Sequence, residues 1–265
     1  MKSEIIIPKN TKKELKILIE ENKQFLIILE EGAELNLITD LKNNEDSNIS
    51  FEIILKENAK LNYLNLQNLP LTKDNLNNKK IKLEKNAVFN YYELNFGSKT
   101  TYSETIVNLD GENAKFEHYG IFVSNNEQKF DFDLSVMHNA PYTYSNILNK
   151  GALNDSSKAN CRGLIKISKN AHNSNGYQKQ DTILLSENAE ANSIPKLEID
   201  NHDVRCTHGA SISQIDEAQL FYLMTRGLNE KQAKTEIVKG FFDTVLSKIN
   251  VDKELVTNLI QEKIK

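Results

Sequence analysis

The chain has 265 residues, with 33 Lys and Arg against 37 Asp and Glu and a formal net charge of −4. The charges are spread along the sequence and form no basic stripe with interleaved aromatic residues, which argues against nucleic acid as a partner. The apolar run near the N-terminus is too short to span a bilayer and does not resemble a secretory signal. We therefore expect a cytoplasmic protein without a membrane partner, in which both cysteines are free thiols.

The first predicted element is a short amphipathic helix from about Lys12 to Glu21, within an N-terminal segment of residues 1–24. A helix in this place would cover the exposed strand edges at one mouth of a solenoid.

A weak internal repeat begins after this segment. Its unit is a polar residue, then Asn or Gly, then Ala. The copies are Glu31-Gly32-Ala33, Glu57-Asn58-Ala59, Lys85-Asn86-Ala87, Glu112-Asn113-Ala114, His138-Asn139-Ala140, Lys169-Asn170-Ala171 and Glu187-Asn188-Ala189. The first five alanines are 26, 28, 27 and 26 residues apart. A period of this size is typical of a solenoid, in which each repeat forms one turn.

The residues around each repeat alternate as they do in strands. Ala33, Leu35 and Leu37 would point to one side, and Glu34 and Asn36 to the other. The Asn-Ala step suits a tight corner, since Asn tolerates the left-handed conformation and Ala is small. The pattern predicts a β-solenoid over residues 25–212, with a β-sandwich or barrel as the alternative.

Residues 213–265 are predicted to be helical. Asp216 would cap a first helix that Gly227 ends, Asn229 would cap a second, and a third would run from about Asp252 to Ile264. The first helix contains five consecutive apolar residues, Leu220 to Met224, which cover nearly every direction around its axis. Such a helix is buried on two sides, either entirely within this chain or with a partner protein over one side.

Cys206 and His208 are the most informative pair for chemistry. In an extended strand they share one side with Val204, and a thiolate beside an imidazole forms half of a site for a soft transition metal. Zinc and iron–sulfur sites need about four ligands, so the remainder would come from Cys161, from elsewhere in the fold or from another chain. The alternative is an inward-facing Val–Cys–His side in which His208 is hydrogen-bonded to the backbone.

The remaining candidates are weaker. The other four histidines lack ligand spacing and are expected at corners or on the surface; they are His118, His138, His172 and His202. Asp131 and Asp133 would share one side of a strand, as carboxylates do in glycosidase-type solenoids. The sequence contains neither a P-loop nor a Gly-x-Ser-x-Gly elbow, so we expect no nucleotide site on this chain.

Three runs follow one another in the last third of the chain. They are Pro195-Lys196-Leu197-Glu198-Ile199, Val204-x-Cys206-x-His208-Gly209-Ala210 and Gln219-Leu220-Phe221-Tyr222-Leu223-x-x-Arg226-Gly227. Arg162-Gly163-Leu164-Ile165-Lys166-Ile167 and Asp181-x-x-Leu184-Leu185 precede them. Over roughly residues 155–245 the sequence resembles the SufB/SufD family, the scaffold subunits of the SUF machine for iron–sulfur cluster assembly.

The resemblance implies a right-handed parallel β-helix with a C-terminal helical region, acting as a scaffold and not as an enzyme. It implies two partners: a SufC-like ABC ATPase, and either a second SufB/SufD-like subunit or another copy of the chain. The implied ATPase-binding residues are Leu220, Phe221, Tyr222, Met224, Arg226, Gly227 and Phe241. A nascent iron–sulfur cluster would form transiently at the β-helix interface, with Cys206, His208 and Cys161 as candidate ligands.

Two departures matter for this assignment. Gln180 stands where the SufB branch has a cysteine, and Gly209 stands where that branch has a glutamate. The chain thus resembles a compact SufD, or a minimal SufB/SufD-like protein that works as a homodimer. Two further hypotheses are a subunit that binds no metal and only positions the ATPase or a SufB partner, and a solenoid enzyme acting on carbohydrate through Asp131 and Asp133.

Overall fold

The computed structural model describes residues 2–249 and 253–263, which contain sixteen strands followed by three helices. The strands are β1 (Lys2–Ile7), β2 (Lys12–Ile19), β3 (Lys23–Leu29), β4 (Glu34–Leu41), β5 (Ser47–Leu55), β6 (Lys60–Gln67), β7 (Asp74–Leu83), β8 (Val88–Asn95), β9 (Thr100–Leu109), β10 (Lys115–Ser124), β11 (Lys129–His138), β12 (Tyr144–Leu153), β13 (Lys158–Ile167), β14 (Asn175–Leu184), β15 (Glu190–Ile199) and β16 (Arg205–Gln214). The helices are α1 (Glu217–Thr225), α2 (Glu230–Leu246) and α3 (Lys253–Lys263).

The strands form two parallel sheets that face each other. One sheet contains the odd-numbered strands β1 to β15 in order, and the other contains the even-numbered strands β2 to β16 in order. Each pair of consecutive strands makes one turn, and the next turn pairs with it in register. The predicted parallel β-solenoid is thereby confirmed, and the sandwich and barrel alternatives are excluded.

The repeated corner explains how the chain turns from one sheet to the other. Gly32, Asn58, Asn86 and Asn113 all have a positive φ, between 56° and 68°, which glycine and asparagine adopt most readily. The asparagine side chains also stack: Asn86 donates to Asn58 Oδ1 at 2.9 Å, and Asn113 donates to Asn86 Oδ1 at 3.2 Å. In the fifth and sixth copies the left-handed residue is instead Tyr142 or Asn173, three residues after the asparagine of the repeat.

The interior is filled by alternate residues of every strand. Register places Leu35, Leu61, Phe89 and Phe116 in one row on the even-numbered sheet, and each is almost completely buried. The rings of Phe89 and Phe116 lie 5.4 Å apart. Because the sheets are parallel and in register, each row stays on the same side of its sheet from turn to turn.

The helix predicted from Lys12 to Glu21 is wrong. Residues Lys12–Ile19 form strand β2, which pairs with β4, and the solenoid begins at β1 instead of near residue 25. The Lys, Glu and Leu content of this segment favours a helix, but Leu15, Ile17 and Ile19 also alternate with period two. Pairing with β4 buries that alternating side, and tertiary contacts override intrinsic propensity.

The C-terminal helices lie on the outer side of the even-numbered sheet. Asp216 accepts hydrogen bonds from the first turn of α1, and Asn229 forms a capping box with Gln232 at the start of α2, as predicted. Val238 and Phe242 of α2 are completely buried in the apolar cluster between helix and sheet. In the described parts of the chain, no helix is long and apolar enough to cross a membrane.

The corner geometry generates a stability prediction. Replacing Asn86 with Ala removes its side-chain hydrogen bonds to Asn58 and Asn113. It also leaves alanine in a left-handed backbone conformation, which alanine adopts less readily than asparagine. We expect a loss of about 1–2 kcal/mol in the free energy of unfolding, measured by urea denaturation. Asn86→Gly is the control and should lose less, because glycine accepts this conformation without strain. Equal losses in both variants would contradict the role of the left-handed corner.

Candidate functional site

The inner face of the solenoid changes from apolar to polar along strand β8. On β8, Phe89 is followed inward by Tyr91, Glu93 and Asn95, and all of them are buried. Lys79 reaches across from the opposite sheet, and its Nζ lies 3.3 Å from Glu93 Oε1. His118 Nε2 lies 3.4 Å from Glu93 Oε2. The interior therefore holds a charged cluster that water does not reach freely.

The charges of this cluster depend on one another. Burial by itself would raise the pKa of Glu93, but the Lys79 ammonium and His118 hold it well below its usual range. Burial lowers the pKa of Lys79, and Glu93 opposes that shift. Since breaking a buried pair leaves an uncompensated charge, neither partner can be removed alone without a large loss of stability.

The expectation that the scattered histidines lie at corners or on the surface is wrong for two of them. His118 and His138 are interior residues, 3% and 0% exposed. His138 forms ring-nitrogen hydrogen bonds of 2.8 Å with Thr143 and Ser145, and burial lowers its pKa to about 4. The alternation of the strand does predict the burial of His118. This residue lies two positions after Phe116 and therefore on the same, interior side of β10.

Cys206 and His208 lie on β16, the last strand of the solenoid, and both face the interior side. Their partners in register on β14 are Gly176 and Gln178. A Cβ at Gly176 would lie 3.1 Å from Cys206 Sγ, so the glycine makes room for the thiol. Cys206 is half-buried, whereas His208 is exposed at the open mouth.

Gln178 lies directly behind His208 and was not predicted. Its side chain is fully buried and extends over Gly163 of the opposite sheet, where a Cβ would lie within 2 Å of its Nε2. Among the described residues, neither amide atom of Gln178 has a hydrogen-bond partner. An unpaired buried amide is costly, so the polar interior extends to the mouth next to the Cys–His pair at an energetic cost.

Cys161 does not join this pair. It lies on β13, is 6% exposed, and packs in a separate cluster with Phe122 and Phe130. Cys206 instead lies near Ile165, four residues farther along β13, which is about 13 Å at a strand rise of about 3.3 Å per residue. Cys161 lines a small interior cavity, of about 20 Å³, together with Glu93 and His118.

The chain thus supplies two ligand atoms at the mouth. Within residues 2–249 and 253–263, no group of three or more His, Cys, Asp and Glu side chains is arranged to hold a metal ion. Cys206 and His208 are two residues apart on one side of a strand, about 7 Å along it, a spacing that lets both contact one bound species. A soft, cysteine-preferring cargo fits this donor pair, but it needs further ligands from outside the chain.

The edge of β16 is open next to this pair. Arg205 and Ile215 donate their N–H groups to Ser174 and Leu184, so the odd-numbered residues of β16 bond to the preceding turn. The alternate residues, including Cys206, His208 and Ala210, therefore direct their N–H and C=O groups away from β14. No described strand lies on that side.

The predicted partner-binding residues divide into three groups. Phe221, Tyr222 and Met224 of α1 are 69%, 55% and 41% exposed, a cluster that we call the α1 patch. Leu220 and Phe241 instead pack against the cluster beneath the helices. Arg226 stacks on the Tyr222 ring, 5.1 Å from its centroid, and Gly227 has a φ of 97° that ends the helix.

The carboxylates considered for carbohydrate chemistry are occupied. Arg162 forms ion pairs with both Asp131 and Asp133 on the outer side of β11 and β13, the latter at 3.1 Å. Two carboxylates held by one guanidinium are poor candidates for an acid and a base, so this geometry gives the carbohydrate hypothesis no support.

The two thiols are expected to differ in reactivity. Burial raises the pKa of Cys206 to about 11 and that of Cys161 to about 12, so the reactive thiolate is scarce near neutral pH. Alkylation of Cys206 by iodoacetamide should rise about tenfold per pH unit from pH 7 to 10 and should outpace that of Cys161, as measured by peptide mass spectrometry. Cys206→Ser isolates the slower thiol; a plateau in Cys206 labelling by pH 8 would contradict the burial argument.

Comparison with known sequences gives a consistent result. A family model described as the SufBD core domain of the SUF system for FeS cluster assembly matches residues 15–241. An iron–sulfur cluster assembly SufBD family protein of Mycobacterium tuberculosis is 33% identical over 200 residues, covering 76% of this chain and 24% of that protein. A member from Synechocystis is 32% identical over 167 residues, covering 63% of this chain and 35% of that protein.

A third relative, from Galdieria sulphuraria, is 32% identical over 169 residues, which are 64% of this chain and 76% of that protein. The matched part thus spans about a quarter of the mycobacterial relatives and about a third of the Synechocystis one. The family match includes nearly the whole solenoid and the first two helices down to residue 241. This chain therefore belongs to the SufBD family of SUF-system iron–sulfur cluster assembly proteins.

Proposed function

We propose that the chain is a scaffold subunit on which a nascent iron–sulfur cluster is assembled, with the cluster as cargo held at the mouth of the solenoid. The observation that carries this proposal is the placement of Cys206 and His208 on one side of an open edge strand. Cys206 would supply a thiolate and His208 an imidazole nitrogen, both ligands that iron–sulfur centres use. The missing ligands would come from sulfide and from a second subunit.

The open edge supports dimerisation. β16 presents unpaired backbone groups at Cys206, His208 and Ala210, and an exposed strand edge pairs readily with another chain. If β16 of a second copy, or of a related subunit, pairs with it antiparallel about a twofold axis, each chain places its Cys–His pair at the same interface. Two incomplete sites would then form one complete site.

The α1 patch supports a protein partner on the opposite, helical side. Phe221, Tyr222 and Met224 are large apolar side chains that remain exposed beside the charged surface of α2. A contiguous apolar patch of this kind is typical of a protein-binding surface. The partner of this proposal is a SufC-like ABC ATPase, which would supply the nucleotide chemistry for which this sequence has no motif.

The ligand role can be tested by replacing both side chains. The double variant Cys206→Ala/His208→Ala should lose the iron and acid-labile sulfide that the wild-type complex accumulates under anaerobic conditions, because both donors at the mouth are gone. Its circular dichroism and its ATPase binding should be unchanged, since His208 is exposed and Cys206 is only partly buried at the end of the core. Iron and sulfide analysis of the purified complex is the measurement.

Cys161→Ala is the comparison variant for this experiment. It removes an interior thiol remote from the mouth and should leave cluster accumulation in place. Full accumulation in the Cys206/His208 double variant would overturn the ligand role and would favour a subunit that only positions its partners. Loss in the Cys161 variant alone would move the site from the mouth to the interior cavity.

Dimerisation through β16 can be tested at the backbone. Ala210→Pro removes an N–H that points toward the open edge, so the bonds within the chain are kept while one bond to a partner strand is lost. We expect the dissociation constant of the dimer to rise at least about tenfold by analytical ultracentrifugation. Leu18→Pro, on the open edge of β2 at the other mouth, is the matched control and should not change it. Equal effects of both substitutions would contradict pairing through β16.

A further inference from the structure

Lys150 is a charged residue within an apolar interface. It lies on the outer side of β12, beneath α2, and its side chain is 11% exposed. Its Nζ donates to the backbone carbonyl of Phe241 at 2.7 Å and lies 4.2 Å from the centroid of the Phe241 ring. The lysine therefore holds α2 through both a hydrogen bond and a cation–π contact.

Asp181 continues this connection toward the mouth. It lies on β14, its side chain is 7% exposed, and its Oδ2 is 4.0 Å from Lys150 Nζ. Its Oδ1 accepts a 2.7 Å hydrogen bond from Ser211 Oγ on β16, and Lys179 contacts Oδ2 at 3.1 Å. One continuous polar connection thus runs from α2 through β12 and β14 to the strand that carries Cys206 and His208.

We propose that Lys150 and Asp181 transmit the position of the C-terminal helices to β16, so that a partner bound on the helices alters the geometry of the Cys206–His208 pair. This inference rests on the proposed scaffold function and deepens it by naming how the helical side regulates the site. Lys150 and Asp181 are positioning residues, because neither one faces the interior side on which the cargo would lie.

The energetic cost of burying Lys150 indicates that this connection does more than hold α2 against the sheet. Lys150 otherwise lies in an interface whose buried residues belong to one apolar cluster, which includes Ala152, Ile183, Val238 and Phe242. In such surroundings a well-packed apolar residue would hold the helix as firmly without the cost of desolvating an ammonium group. A chain of charges instead provides a route for coupling, because shifting one end changes the electrostatic energy at the other.

Hydrogen exchange of the isolated full-length chain tests this relay, since no partner is needed. Lys150→Met keeps the length and volume of the stem but removes the charge. Amides of β16 (residues 205–214) should exchange about tenfold faster in this variant, as measured by mass spectrometry. Coupling between two sites acts in both directions, so Ser211→Ala should in turn raise exchange in α2 near Phe241, although Ser211 does not hydrogen-bond to that helix.

Two variants serve as matched controls. Lys239→Met removes a lysine of α2 whose ion pair with Glu236 stays within the helix, and Ser213→Ala removes a hydroxyl from the same side of β16, two residues along. Neither should affect exchange in the remote element. The double variant Lys150→Met/Ser211→Ala should show no more exchange at β16 than the larger single effect, because both act through Asp181.

The outcomes separate this inference from the proposed function. If Lys150→Met leaves β16 unchanged, or Ser211→Ala leaves α2 unchanged, the relay is wrong even if the chain binds an ATPase and builds clusters. If the relay is present but no ATPase binds, the scaffold proposal fails while the coupling stands. If the relay is present and the ATPase binds, adding the ATPase and ATP should change the hydrogen-exchange rate of the β16 amides in the wild type but not in the Lys150→Met variant.

Discussion

In-register parallel pairing between successive turns is the constraint on which the rest of the structure depends. It places each residue directly above its counterpart one turn earlier, so all residues of a row face the same side of the solenoid. The left-handed corners at Asn58, Asn86 and Asn113 keep this register by fixing where each turn begins. A slip of one residue would move every interior side chain to the outside.

The same rows determine where chemistry can occur. The row that holds Phe89 and Phe116 continues through Ser145 and Gly176 to Cys206, so it ends in a thiol at the mouth. The neighbouring row passes from His118 through the apolar Ile147 to Gln178 and His208. The candidate site is therefore the point at which these two interior rows end at an open edge, and an open edge is where a second chain can complete it.

Much of the fold could be predicted because its signals are local. The Asn-Ala corners, the period of about 27 residues and the caps Asp216 and Asn229 each follow from short-range backbone preferences. The strand β2 was mistaken for a helix because its Lys and Glu content favours a helix until β4 is present to pair with it. The charged cluster of Lys79, Glu93 and His118 was missed because its members are distant in sequence, and only the register of the finished solenoid brings them together.

In the candidate site, Cys206 and His208 could be predicted because they alternate along one strand. Gln178 could not be predicted, because its buried position depends on the space that Gly163 leaves in the opposite sheet. Cys161 shared the right chemistry, yet strand spacing separates it from the pair. The run from Leu220 to Met224 is unusually apolar in the sequence, and the structure shows that the three side chains of the α1 patch are exposed whereas Leu220 is packed inside.

The most direct test of the scaffold account is anaerobic affinity purification of the tagged chain from its native host, followed by identification of the proteins that co-purify. The same purification is carried out with a Phe221→Glu variant and with a control, Leu71→Glu, at another exposed apolar position. The account predicts a near-stoichiometric ABC-type ATPase with the wild type and the control, its loss with Phe221→Glu, and a second β-helix chain or a dimer of this one. Recovery of the wild-type chain alone as a monomer without an ATPase, under mild conditions, would contradict it.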